Sequence, residues 1–132
     1  DSSTSRGLGD VYKRQELDGA IIVSTPQDVA LLDARKGIDM FKQLKTPLLG
    51  MIENMSTHIC SNCGHEEHVF GHGGVAKEAE KLGIPLLAEI PLDLDIRVAS
   101  DGGVPIVVSQ PQSPQSFTFK NVAQQLIDRG LA

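Results

Sequence analysis

The feature that most constrains the fold is a series of short apolar runs, each ended by turn residues. Residues 18–25 (Asp-Gly-Ala-Ile-Ile-Val-Ser-Thr) form the first, residues 47–54 (Pro-Leu-Leu-Gly-Met-Ile-Glu-Asn) the second and residues 84–90 (Ile-Pro-Leu-Leu-Ala-Glu-Ile) the third. A strand with one face in water alternates apolar and polar residues, so unbroken runs predict strands buried on both faces, as in a parallel sheet. Parallel strands need crossovers, and the intervening segments have helical period. Leu31, Ala34, Ile38 and Phe41 recur at helical spacing to about residue 44, after an opening at Pro26-Gln-Asp28 that Thr25 or Ser24 can cap. Residues 74–82 form a shorter helix stopped by Gly83. Two βαβ units with right-handed crossovers follow, giving an α/β fold of three layers, a parallel sheet with flanking helices.

The remaining segments extend this plan. Residues 91–95 read as a loop leading into a short helix through Ala99, ended by Gly102 and Gly103, and residues 105–108 read as extended. Residues 111–114 are a turn-rich linker. A last helix over residues 115–129 carries Phe119, Val122, Ala123, Leu126 and Ile127 as an apolar stripe. Residues 1–15 have neither helical nor strand period and are expected to be foreign to the domain, which then occupies residues 16–132.

Composition excludes several classes of function. No apolar run approaches the ~20 residues that span a bilayer. A net charge of −5 lacks the clustered cations that displace counterions from nucleic acid. Nothing near the start resembles a secretory signal, and two cysteines two residues apart cannot staple a long loop. The cytoplasm is the expected compartment, where a Cys-x-x-Cys pair means metal or redox chemistry.

That pair, Cys60-Ser-Asn-Cys63, lies in an insert over residues 55–73 that also holds His58, His65, His68 and His72. Two intervening residues let both sulfurs reach one metal centre, and Gly64 frees the backbone to turn away. Three chemistries fit the spacing. A redox dithiol belongs at a helix N-terminus, whereas no helical pattern begins before Gly74. Zinc can draw on Cys60, Cys63, His65 and His68, although one residue between Cys63 and His65 is cramped for two converging ligand pairs. A cubane cluster takes four thiolates, and two chains about a twofold axis supply them. The histidines read either as polar loop residues or as donors to cluster sulfurs.

Five ordered stretches carry a resemblance: Gly19-Ala-Ile-Ile-Val-Ser-Thr-Pro-Gln-Asp28, Gly50-Met-Ile-Glu-Asn-Met55, Cys60-Ser-Asn-Cys-Gly-His65, Phe70-Gly-His-Gly-Gly74 and Glu89-Ile-Pro-Leu-Asp93. Together they resemble the Mrp-type iron-sulfur cluster carrier ATPases, relatives of MinD and ParA, from about Leu17 to the C-terminus. The resemblance implies the C-terminal portion of a P-loop NTPase fold, with a 4Fe-4S cluster bridging two chains and passed to apo iron-sulfur proteins. It matches the cluster ligands to Cys60 and Cys63, and the adenine contacts to Asn54 with Pro91 and Asp93 beside the base. Without the resemblance, Asn54 reads as a strand-end turn residue.

The departures are as informative. No Gly-x-x-x-x-Gly-Lys-Ser/Thr occurs in the 132 residues, so nothing here cradles phosphates. Gly7-Leu-Gly-Asp10 only imitates the family's Gly-Thr-Gly-Asp switch. ATP and Mg²⁺ are therefore expected only with an N-terminal half that this chain lacks, and ATP hydrolysis is not expected of this chain alone. The alternatives are a zinc-stabilised interaction module, or a positioning ATPase of the ParA and MinD kind, against which the Cys-x-x-Cys insert speaks.

Overall fold

The computed structural model describes residues 17–130, so the expectation for residues 1–15 lies outside the described residues. In chain order the elements are β1 (Ala20–Ser24), α1 (Asp28–Gln43), β2 (Leu48–Ile59), β3 (Glu66–Glu67), α2 (Gly74–Leu82), β4 (Leu86–Leu92), α3 (Leu94–Asp101), α4 (Ile106–Ser109) and α5 (Pro114–Asp128). The three apolar runs become β1, β2 and β4. β2 lies between the other two and parallel to both. β3 pairs antiparallel with the far end of β2, opposing Glu67 to His58 and Glu66 to Ile59. The sheet is thus mixed rather than wholly parallel. The hairpin escapes the apolar-run signal because its residues face water and need not be apolar.

Successive residues of β2 point to opposite faces, and two cores follow. Met51 joins Ile22, Leu31, Ile38, Val75 and Ala79 under α1 and α2. Ile52 joins Leu87 and Ile90, with Ile96, Phe119 and Val122 packed over them from α3 and α5. Helices on both sheet faces make the expected three layers. Each fully buried aliphatic side chain in these cores contributes about 1.5–3 kcal/mol.

Several local expectations are corrected. Gln27, not Thr25 or Ser24, is the N-cap of α1, with no side-chain cap; Asp28 in the first turn faces the positive helix end instead. Residues 105–108, rich in β-branched side chains, are not extended. The N–H groups of Val108 and Ser109 donate to the Pro105 carbonyl and that of Gln110 to Ile106, forming α4. Strand propensity expresses itself only where a sheet edge is offered. The linker reaches only to Ser113, whose hydroxyl caps α5 by accepting from the Ser116 N–H, with Pro114 in the first turn. The stripe on α5 is narrower than expected. Ala123 and Ile127 are exposed, Ile127 lying roughly 80° round the helix from Phe119. Gly83 ends α2 in the left-handed conformation, φ 70°, as its position predicts.

Candidate metal centre

Beyond Asn54, where the pattern predicts loop, β2 runs on to Ile59 and delivers the chain into the turn that holds both cysteines. The Cys60 N–H donates to the His65 carbonyl at 2.9 Å and the Gly64 N–H to the Cys60 carbonyl at 2.8 Å. Gly64 at φ 74° closes this turn in a conformation that a Cβ would strain. Both thiols are free, Cys60 half-buried and Cys63 exposed. The curled backbone aims the N–H groups of Cys63 and then Asn62 at the Cys60 sulfur, and these, with the Cys63 thiol, hold the Cys60 thiol below its ordinary range. The thiolate is the metal-binding form, so donors that favour it also favour ligation.

The histidines do not complete a mononuclear site. His65 Nε2 lies 3.5 Å from a Glu67 carboxylate oxygen, and the His68 and His72 rings face one another at 4.2 Å between centroids. Among the described residues no three His, Cys, Asp or Glu side chains are placed to hold one metal ion. The four-ligand zinc set of Cys60, Cys63, His65 and His68 is therefore not assembled within one chain.

Asn54, Pro91 and Asp93 do come together, in the wall of a cavity of about 500 Å³ that Met55, His58 and Ile96 also line. The Asn54 side-chain oxygen accepts from the Met55 N–H at 3.0 Å, and Met55 takes a left-handed φ of 53°. There β2 bulges against β4: Asn54 opposes Ile90, but the next pair is His58 with Leu92. Asp93 has work of its own. One carboxylate oxygen caps α3 by accepting from the N–H groups of Asp95 (2.8 Å) and Ile96 (3.2 Å), and the other accepts from the Gln115 amide at 2.7 Å. Sequence reading placed Asp93 in a loop and missed this cap, which the Asp93-Leu-Asp95 start of a helix signals.

Glu53 was also missed. It is 3% exposed, in register with Ser24 on β1 and Glu89 on β4. Burial, reinforced by Glu89, pushes its carboxyl upward, while His72 and His68 pull the other way. A lone Glu closing an apolar run was the available signal.

The ParA-group family described as NUBPL iron-transfer P-loop NTPase matches residues 7–127. The chain belongs to this NUBPL iron-transfer family. The iron-sulfur cluster carrier protein of Pseudomonas fragi is 46% identical over 121 residues, 89% of this chain and 42% of that protein. Among solved structures, a nucleotide-binding protein of Archaeoglobus fulgidus in complex with ADP is 40% identical, with TM-score 0.61 over 77% of this chain and 40% of its own. The cell division ATPase MinD of Pyrococcus furiosus is 25% identical, with TM-score 0.66 over 85% of this chain and 43% of its own. The NUBPL-family chain described here thus spans less than half the length of these relatives, and its kinship with cluster carriers and MinD agrees with its sequence motifs.

Proposed function

We propose that this chain carries an iron-sulfur cluster and hands it to apo-proteins. The cargo is a 4Fe-4S cluster held by Cys60 and Cys63 from each of two copies, in the cytoplasm. The observation that carries this reading is the two-thiol turn at a hairpin tip, in a family described by iron transfer. One chain offers two thiolates, and a cubane takes four. The exposed turn suits a twofold contact, which brings the same loop from both protomers to one axis.

The cavity beside the hairpin suits a nucleotide base. Asn54 and Pro91 would flank it, with Asp93 holding the wall through its cap of α3. No residue of this chain supplies a phosphate loop, so triphosphate, Mg²⁺ and hydrolysis belong to the longer protein.

Anaerobic reconstitution with iron and sulfide tests the cargo. The expected product is a dimer with visible charge-transfer absorbance and about two irons per chain, lost in Cys60→Ser and in Cys63→Ser. Absorbance that survives either substitution overturns the ligand assignment. Stoichiometric zinc with no cluster uptake overturns the carrier reading.

A further inference from the structure

We propose that the cleft beside Cys60 is the docking site for the recipient, a short segment that presents a cysteine thiol flanked by lysine or arginine. The inference rests on the cluster-carrier reading and names the partner of that site. The cleft, about 360 Å³, lies between the cysteine turn and the N-terminal ends of α3 and α5. Small-ligand clefts run from about 300 to 1,000 Å³, so this one admits a few side chains of an extended segment, not a folded surface.

Its chemistry selects the occupant. Ile59, Pro91, Leu94 and Pro114 give it apolar walls, and Ile59 and Leu94 are 51% and 58% exposed. Asp93 and Asp95 line it as well, and among the described residues no lysine or arginine does. An acidic, partly apolar cleft attracts a basic segment and repels an acidic one. The hairpin of a second copy is the obvious rival, but it carries Glu66 and Glu67 beside its thiols. Like charges disfavour that self-docking.

The two cysteines face different surroundings. Cys60 lines the cleft, while Cys63 does not and is exposed. An incoming thiol can therefore reach the iron bound to Cys60 while Cys63 still holds the cluster. In that step an Fe–S bond to the recipient cysteine forms as the Fe–S bond to Cys60 breaks. The proton of the incoming thiol passes to the leaving Cys60 sulfur, and no iron changes oxidation state.

The test needs no cluster. The reduced, metal-free chain is titrated, by fluorescence anisotropy, with a synthetic peptide whose single cysteine sits between lysine pairs, and with its glutamate-flanked counterpart. The lysine peptide should bind about two- to fivefold more tightly, as expected for the exposed Asp95 carboxylate gaining a solvent-exposed pair, with the preference shrinking as salt is added. Asp95→Lys should abolish or reverse that preference, and Thr118→Trp, which narrows the cleft from α5, should weaken the lysine peptide. Equal affinity of the two peptides for the wild type, or an unchanged preference in Asp95→Lys, overturns the proposal. Because binding is read without iron, failure here and failure of cluster reconstitution are separate results.

Discussion

Glu53 is buried in register with Ser24 and Glu89, and burial together with Glu89 raises its carboxyl, so its ionisation opposes folding. Its folded-state value is raised. Below the ordinary carboxylate value both states are neutral and nothing is lost. As pH rises past that value the unfolded chain ionises first, and stability falls until the folded group also ionises. Glu53→Gln is therefore expected to melt higher than wild type near neutral pH, by the order of a few degrees, and to match it near pH 4, the ordinary carboxylate range. Thermal melts across that range check it; a variant that melts lower at neutral pH contradicts the account. Gly64→Ala tests the cysteine turn. Holding φ 74° with a Cβ costs about 1–2 kcal/mol, so if the proposed cluster forms on reconstitution, the variant should lose it faster under a chelator than wild type. The tight turn that carries Cys60 and Cys63 was legible from sequence, because two intervening residues followed by Gly64 mark it. The burial of Glu53 was not, because it arises only when β1 and β4 close on β2; the Asp93 cap is local and was overlooked although the helix start signals it.

Two contacts test how elements are held together. α1 and α2 are tied by Arg35, whose guanidinium donates to the Glu78 carboxylate through Nε at 2.9 Å and also through Nη2. Glu78 is only 7% exposed, and this bond holds its carboxyl below the usual range. A lowered value means stability that is present above the unfolded carboxylate value and lost as pH falls through the folded one. Arg35→Met should therefore lower the melting temperature at neutral pH and much less in acid. Ser116, fully buried, joins α4 to α5: its hydroxyl lies 2.6 Å from the Gln110 carbonyl and 3.0 Å from that of Ile106, and accepts from Ser113. Ser116→Val should cost about 1–3 kcal/mol in chemical denaturation. Helix α2 was legible to its last residue because apolar period and a terminal glycine coincide there. α4 and the outer half of β2 were misread, since a four-residue helix has no period to detect and the hairpin carries polar residues on a paired strand.

At the scale of the whole molecule, the sheet has one covered and one open flank among the described residues. α5 lies along β4, and its Gln125 amide donates to the Leu87 carbonyl at 2.9 Å. The outer edge of β1 pairs with no described strand, and the nearby Val23, Val29 and Leu32 are 57%, 74% and 55% exposed. An open, apolar-flanked edge strand is a template for association. Sedimentation velocity should find concentration-dependent self-association of the isolated chain, reduced by Val29→Lys with Leu32→Glu; a monomer at all concentrations contradicts this. The layered α/β architecture was legible because three apolar runs alternate with helical period. The mixed character of the sheet was not, because antiparallel pairing of Glu66 and Glu67 leaves no apolar trace.

The cysteine turn is closed by residues 58–67 alone, with two β3 residues against the end of β2. That locality sets an order in time. A hairpin forms in about 1–10 μs, whereas β4, which flanks it, emerges from a ribosome on the order of a second later at roughly 5–20 residues per second. The nascent chain thus samples its two-thiol turn before β4 completes the sheet that will support it. During that interval the thiols are open to whichever reductant, oxidant or metal reaches them first.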